Sequence, residues 1–333
     1  MKRNLTGEID LSTAHTIKSV MDPIKSKWRK LWKNEEAKFR LFTALKMTMV
    51  PIFSFSVMGG CMWILLNMNL LFFRANEIRG IDRFEEVFFD FLSSTLIDIL
   101  PYAALLLIFV NVTAIYISDI LLRPFRTIGQ YCELRNRGEN SSYNPDFFTD
   151  LKLLSQFGEF FFNSIETAEA NKSLLKIVIP KKYTRIHKPV FETAFFGHYL
   201  LYLLPSLLAV SIALYTFANE IYQNIINLAE MTLPSDQKIN LFLGDQVAIM
   251  DSILVIVIVV TFFLYLYLAR NLYDLVARPA FGVFSTMRSF LKGNYGQRVH
   301  LIGYPFLRDQ TRSLNKYLDW VEKNLVEKSE TKG

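Results

Sequence analysis

Four long apolar stretches, separated by charged segments, dominate the pattern of hydrophobic and polar positions along the chain. They cover about residues 47–73, 99–122, 195–218 and 253–275. A helix needs roughly 20 apolar residues to cross the hydrocarbon core of a bilayer, and each stretch meets that length. Helices satisfy their own backbone groups in lipid, so the pattern predicts four transmembrane helices. The expected fold class is an all-α polytopic membrane protein.

Basic residues are concentrated on one side of the predicted spans. Residues 1–40, 123–195 and 270–333 hold 10, 11 and 11 of the 37 Lys and Arg residues. The outward loops, about 74–97 and 219–252, hold only four and are acidic. Positive residues stay on the cytoplasmic side, so we expect both termini in the cytoplasm and the protein in a bacterial inner membrane. The net charge of +6 then indicates contact with anionic lipid, not with nucleic acid.

A charged pair, a proline and a glycine recur behind the second and the fourth apolar stretch, 155 residues apart. The repeated residues are Asp119, Arg123, Pro124 and Gly138, matched by Asp274, Arg278, Pro279 and Gly293. Two spans per copy return the chain to the membrane in the same direction, so two parallel hairpin repeats are expected. Asp and Arg are spaced i, i+4 in each copy, which favours a helical ion pair. The pair is interpreted as a hinge at the cytoplasmic boundary or as a simple interfacial pair.

Two short amphipathic helices are predicted behind the second hairpin. Apolar residues spaced three and four apart form a first coiled-coil seam that Gly293 ends, and a second seam begins after Asp309. In the connector between them, Val299 and Ile302 are the expected inward-facing residues. The first seam comprises Ala280, Val283, Met287 and Phe290, and the second comprises Leu314, Leu318, Val321 and Leu325.

The first copy carries a weaker version of this pattern. Arg135 occupies a seam position of its first helix, Gly158 interrupts the seam of its second, and Asp150 matches Asp309 only loosely. Its apolar seam residues are Phe125, Ile128 and Cys132, then Leu151, Leu154, Phe161, Ile165 and Ala168.

A proline at the start of a first helix, a glycine fourteen residues later and an acidic residue that opens a second helix are marks of the HAMP linker domain. In this chain those marks are Pro279, Gly293 and Asp309, and the two units together, roughly 110 of 333 residues, resemble that family. HAMP domains couple membrane helices to cytoplasmic outputs, and they are similar to parallel four-helix bundles made by two identical chains. The resemblance implies that the two units of this chain pair within one molecule; a homodimer is the alternative.

Motifs for enzymatic chemistry are missing from the sequence. It has no phosphate-binding glycine loop and no Ser-His-Asp or Cys-His arrangement, and two Cys and four His provide neither a metal cluster nor a disulfide framework. We therefore predict no catalytic, cofactor-binding or metal-binding residue. The outward loops are too short for a folded sensor domain, and only residues 326–333 follow the second unit, so we expect no kinase or cyclase output.

The predicted order of segments begins with a basic stretch whose helix carries Trp28 and Trp32 at i, i+4, a spacing suited to the membrane interface. An ordinary solvated basic helix is the alternative. The segments are 1–40 (basic N-terminal segment), 41–122 (hairpin), 123–170 (HAMP-like unit), 171–194 (basic linker), 195–277 (hairpin), 278–325 (HAMP-like unit) and 326–333 (polar tail).

The function that the resemblance implies is that of a non-enzymatic signal-transduction or adaptor subunit. Its spans contact the lipid bilayer, and its cytoplasmic bundles act on a separate signalling protein. The expected coupling residues are the eight repeated residues and Asp309. A small transporter or channel subunit with pseudo-two-fold repeats is the first alternative, and a membrane scaffold is the second.

Overall fold

The computed structural model describes residues 34–77, 81–139, 141–145, 151–171, 177–184, 192–232 and 237–326. All regular secondary structure in this part of the chain is helical. The predicted interface residues Trp28 and Trp32, and Asp150 of the first unit, lie outside the described residues.

Seven α-helices follow one another in the described residues, and four of them are very long. They are α1 (Glu35–Ala75), α2 (Ile81–Asn136), α3 (Lys152–Ala170), α4 (Lys181–Thr184), α5 (Thr193–Thr232), α6 (Gln237–Leu291) and α7 (Arg308–Val321). A 3₁₀ turn (Pro305–Leu307) precedes α7 and a π-helical turn (Glu322–Val326) follows it. By length and composition, α1, α2, α5 and α6 can each cross a membrane, so the chain is a multi-pass membrane protein.

Neither repeated proline begins a helix. Pro124 lies inside α2, which has 56 residues, and Pro279 lies inside α6, which has 55. The predicted helix start at each proline is therefore wrong. Apolar residues on both sides of each proline are buried, for example Leu121 and Phe125. This packing maintains the helix although proline removes one backbone hydrogen bond. Each helix thus runs without a break from its membrane-spanning part into the region beyond it. The distribution of basic residues predicts that this region is cytoplasmic, and it is called the cytoplasmic region here for that reason.

The four long helices pack as a ring in which α1 and α5 are each flanked by α2 and α6. In the interior, the hydroxyls of Ser54 on α1 and Thr261 on α6 are hydrogen-bonded at 2.7 Å. Nearer the cytoplasmic helices, Phe196 of α5 packs edge-on against Tyr273 of α6, with ring centroids 5.4 Å apart. Phe72 of α1 contacts Phe242 of α6 further along both helices, so α6 runs antiparallel to α1.

The predicted outward loops are largely helical. Helix α5 continues to Thr232 and α6 begins at Gln237, so most of 219–252 extends the spans. Phe72 of α1 stacks on Phe242 of α6 at 3.8 Å, and Phe73 packs edge-on against Phe84 of α2 at 5.8 Å. The aromatic contacts make this outer region a continuation of the bundle.

Four helices lie side by side in the cytoplasmic region: the ends of α2 and α6, together with α3 and α7. Helix α3 packs mainly on α6, and α7 packs mainly on α2. Phe157 contacts Phe284 at 4.6 Å and Phe161 contacts Phe290 at 6.2 Å, so α3 and α6 are parallel. The predicted seam residues of α7 and of the end of α6 are buried in this core.

Candidate functional site: the junction between spans and cytoplasmic helices

Asp119 lies at the center of a cluster of charged side chains where α1 meets α2. Its Oδ1 accepts a hydrogen bond from Arg126 at 2.9 Å and pairs with Arg40 of α1 at 3.0 Å. Arg126 also pairs with Glu36 in the first turn of α1. That turn is fixed by Asn34, whose Oδ1 accepts hydrogen bonds from the backbone N–H groups of residues 36 and 37. The cluster therefore joins the start of α1 to the part of α2 around Asp119 and Arg126.

Asp274, the repeated counterpart of Asp119, has a more local set of partners. It pairs with Arg278 at 3.6 Å and with Arg270 at 3.3 Å, both one turn away on α6. Both arginine side chains are more than half exposed. The two aspartates thus differ in their partners: Asp119 connects two helices, whereas Asp274 forms pairs along a single helix.

Glu192 attaches the start of α3 to the start of α5. Its carboxylate accepts hydrogen bonds from the backbone N–H groups of Lys152 and Leu153, each at 2.8 Å. The backbone N–H of Glu192 in turn donates to Oη of Tyr273 on α6 at 2.6 Å. Burial raises the pKa of the Glu192 carboxyl, whereas the two accepted hydrogen bonds act in the opposite direction. Helix α3 is therefore anchored to the hairpin of α5 and α6.

A corresponding contact attaches the second cytoplasmic unit to the first hairpin. Phe306, in the turn before α7, stacks on Phe39 of α1 with ring centroids 4.4 Å apart. Gly129 of α2 allows the close approach of α7 at Gln310, because a Cβ added to this glycine would lie 3.1 Å from the Cα of Gln310. Helix α3 thus begins against the hairpin of α5 and α6, and α7 begins against the hairpin of α1 and α2.

Polar side chains form one layer of the otherwise apolar cytoplasmic core. Tyr131 of α2 donates a hydrogen bond to Glu166 of α3 at 2.7 Å, and Arg135 pairs with Glu169 one turn further on. The ring of Tyr131 also packs edge-on against Tyr317 of α7 at 6.0 Å. Arg135, which the sequence places in the seam, is therefore held there by a carboxylate from the neighbouring helix.

Both repeated glycines end their helices in the same conformation. Gly138 has φ +81° and Gly293 has φ +100°, values that a side chain disfavours. The N–H of Gly138 donates to the carbonyl of Arg135, and the N–H of Gly293 donates to that of Phe290, each at 3.0 Å. The next residue in each copy donates to a carbonyl one position further back, which completes a glycine-based helix stop.

The connector of the second unit is fixed to α7 by an asparagine. Asn315 accepts a hydrogen bond from the N–H of Val299 at 2.8 Å and donates one to its carbonyl at 3.0 Å. Val299 is buried, as predicted, but Ile302 is 93% exposed, so its predicted inward orientation is wrong. Phe306 and Leu307 fill the core instead, because the turn at Gly303 (φ +89°) directs Ile302 outward.

The structure thus brings some predicted residues into one junction and leaves others apart. Asp119 lies in the charged cluster, Asp309 lies in the first turn of α7, and the two glycines lie at the far ends of α2 and α6. Sequence reasoning missed Glu192, Asn315 and Tyr131. Their contacts join segments that are distant along the chain, so no local pattern indicated them.

Within the described residues, no group of three or more His, Cys, Asp or Glu side chains is arranged to hold a metal ion. No protein-family model matches the chain, and neither a curated protein nor a solved structure matches it. The function is therefore inferred from the contacts between the described residues.

Proposed function

We propose that this protein is a non-enzymatic membrane signalling or adaptor subunit that passes movements of its spans to a separate cytoplasmic partner. The observation that carries the proposal is the continuity of α2 and α6 from the membrane region into the cytoplasmic core. An uninterrupted helix is stiff over this distance, so tilting or rotating its membrane portion moves its cytoplasmic end. The orientation, with both termini in the cytoplasm of a bacterium, rests on the distribution of basic residues.

In this proposal the two cytoplasmic units form one HAMP-like bundle within a single chain. The offset of 155 residues, the matching glycine stops and the reciprocal docking of α3 on α6 and α7 on α2 support it. The chain thereby imitates a homodimer, and each half is free to diverge. The different partners of Asp119 and Asp274 are consistent with such divergence.

Pairing within one chain is testable by a disulfide between α2 and α7. A Cβ built on Gly129 lies 3.1 Å from the Cβ of Gln310, somewhat below the roughly 3.5–4.5 Å of a disulfide. A cysteine at position 129 therefore needs only a small shift of α7 to form the bond, whereas the branched side chain of valine adds bulk that no bond holds in place. With Cys61 and Cys132 replaced by alanine, Gly129→Cys/Gln310→Cys is expected to oxidise in membranes to a crosslinked monomer. Disulfide-linked dimers would show instead that α7 docks on another copy.

Coupling is testable by locking the spans and observing the cytoplasmic helices. The Ser54 and Thr261 oxygens are 2.7 Å apart, so Ser54→Cys/Thr261→Cys is expected to form a disulfide that fixes α1 to α6. In the same cysteine-free background, hydrogen exchange is then compared between the oxidised and reduced protein. A change at the amides of α7 supports the proposal. Identical exchange in α7 would contradict it and favour a scaffold.

Polar side chains buried between the long helices are the observation that favours the alternative of a small transporter or channel subunit. Asn69 and Gln246 are both buried near the outer end, and Ser54 and Thr261 lie deeper. All four are uncharged, and the deeper two are hydrogen-bonded to each other. Solute uptake by reconstituted vesicles, lost in an Asn69→Leu/Gln246→Leu variant that still inserts, would favour this alternative over signalling.

A further inference from the structure

A lateral groove of about 290 Å³ lies between α2 and α5, toward the end of the spans remote from the cytoplasmic helices. Each helix contributes one face with the spacing i, i+3, i+4, i+7. The lining residues are Ile99, Tyr102, Ala103 and Leu106 on α2, and Ala213, Thr216, Phe217 and Glu220 on α5. Phe55 of α1 forms the back of the groove and packs edge-on against Phe217 at 5.6 Å.

Two alanines account for the space between the helices. The contact of Tyr116 with Tyr202, at 5.8 Å, fixes the antiparallel register of α2 and α5. In that register Ala103 lies opposite residues 213–216, so two alanines of the lining, Ala103 and Ala213, oppose each other. An alanine has no atoms beyond Cβ, and a larger residue at either position would fill the gap.

The groove opens toward the side of the bundle that faces the hydrocarbon. Tyr102 at its edge is 73% exposed, and the neighbouring Leu100 and Leu105 are also largely exposed. An apolar surface of this kind on a membrane helix is covered by lipid chains. The molecule nearest to the groove, at the highest local concentration, is therefore a lipid and not a water-soluble ligand.

One end of the groove is acidic. Glu220 lines it on α5, and the register puts the exposed Asp98 of α2 at the same level. Within the described residues, neither carboxylate forms an ion pair. Glu220 and Ala213 are separated by seven residues, so the apolar part extends roughly 10 Å from this acidic end into the span. Such a site has room for an apolar chain and negative charge for a cationic head.

We propose that the groove binds one phospholipid with a primary-amine head group. An acyl chain fills the space between Ala103 and Ala213, and the ammonium donates hydrogen bonds to Glu220 and Asp98. A quaternary ammonium cannot donate these hydrogen bonds, and an anionic head group is repelled. The proposal goes beyond the signalling function and does not depend on it, because it concerns binding by the membrane region alone.

Native mass spectrometry of the full chain in detergent tests the charge requirement. Phosphatidylethanolamine, phosphatidylcholine and phosphatidylglycerol with identical chains are titrated separately, and the fraction carrying one lipid is measured. We expect phosphatidylethanolamine to bind best, and Glu220→Gln to weaken its binding about three- to fivefold while phosphatidylglycerol binding does not weaken. Asp251→Asn, which removes an exposed acid of α6 outside the groove, is the matched control and leaves all three unchanged.

A second pair of variants tests the place of binding. Ala103→Phe fills the groove and is expected to abolish retention of the single lipid. Ala104→Phe adds the same bulk one position away, outside the lining residues, and is expected to bind as the original chain does. Both variants must elute as folded protein before they are compared. Equal binding of the three lipids to the original chain, or equal effects of the two phenylalanines, would overturn the proposal.

Discussion

Glu192 accepts a hydrogen bond at 2.8 Å from the backbone N–H of Leu153, a residue 39 positions earlier in the chain. Glu192, the residue before α5, thus caps α3. Leu151, at the capping position of α3, provides no side-chain hydrogen bond of its own. This one carboxylate therefore connects the hairpin of α5 and α6 to the start of α3.

Replacing Glu192 by alanine is expected to loosen the start of α3. The variant leaves two backbone N–H groups without their acceptor, and loss of a helix cap costs about 1 kcal/mol. Hydrogen exchange at Lys152 and Leu153 should accelerate about fivefold, whereas the amides of α7 stay unchanged. Glu159→Ala on the same helix is the control, because its carboxylate is not the cap. Equal exchange at Lys152 in both variants would show that the cap does not stabilise α3.

The same carboxylate gives an expected dependence on pH. Burial raises the pKa of Glu192 above its ordinary value of 4.5, so the folded protein binds its proton more tightly than the unfolded chain does. The resulting stabilisation is present below pH 4.5 and is lost as the pH rises through the raised pKa. The midpoint temperature of thermal unfolding should therefore fall over that pH range in the original chain, relative to the midpoint of Glu192→Gln. A constant difference between the two midpoints across this pH range would contradict a raised pKa of Glu192.

The spans and the seams were predictable from the sequence because their apolar residues recur with helical spacing over many turns. The glycine helix stops were predictable too. Gly138 and Gly293 follow the last apolar residues with helical spacing, where the end of a helix needs a positive φ. The helix boundaries at Pro124 and Pro279 were wrong because packing on both sides of each proline overrides its local preference. Ile302 lies in an irregular connector, which has no period to indicate the inward side. The Glu192 cap joins segments distant in sequence and leaves no local pattern.

Substitution of either glycine stop by alanine should destabilise the protein. Gly138 and Gly293 both have positive φ, which an L side chain adopts at a cost of about 1–2 kcal/mol. Gly293→Ala is expected to lower the stability of the cytoplasmic core by that amount and to leave membrane insertion intact. Gly296→Ala, three residues further on, has open space around its Cβ and no positive φ, and it is the matched control. If Gly293→Ala prevents insertion, the glycine serves folding of the whole chain.

Pro279→Ala is expected to stiffen α6 where it leaves the membrane region. Alanine restores the backbone N–H that proline lacks, and an interior proline costs a helix about 3 kcal/mol. Exchange at residues 276–283 should slow, and under the proposed function the signalling output changes while insertion stays intact. Pro124→Ala makes the same change in α2. Faster exchange around residue 279 would mean that the proline itself favours the observed packing.

Cys132 provides a native reporter of the docking of α7 on α2. Its side chain is fully buried, so in a Cys61→Ala background a maleimide should modify it only when the helices separate. Gly129→Val forces bulk against the backbone of Gln310, and it is expected to increase the labelling rate more than tenfold. Gly197→Val in α5 has no neighbour within 4 Å and should leave the rate unchanged. Equal labelling of the two variants would show that α7 does not cover Cys132.

The polar pair in the first unit should be replaceable by apolar residues, but only as a pair. Arg135 and Glu169 are largely buried and paired, whereas the residue 155 positions after Arg135 is the apolar Phe290. Removing one partner leaves a partly buried charge uncompensated, which costs up to about 3–5 kcal/mol for a fully buried pair and less here. Arg135→Met should therefore lower the unfolding free energy by about 1–3 kcal/mol.

The double variant Arg135→Met/Glu169→Leu is expected to recover most of that loss, because an apolar pair of similar volume avoids the desolvation of both charges. Denaturant unfolding of the four proteins in one detergent gives the coupling energy as a double-mutant cycle. The exposed i, i+4 pair of Glu133 and Arg137, on the same helix, is the control and should show a coupling below about 0.5 kcal/mol. Additive losses of unfolding free energy at Arg135 and Glu169 would mean that the ion pair does not stabilise the arginine in the seam. The long side chain of Arg135 would then contribute through its packing alone.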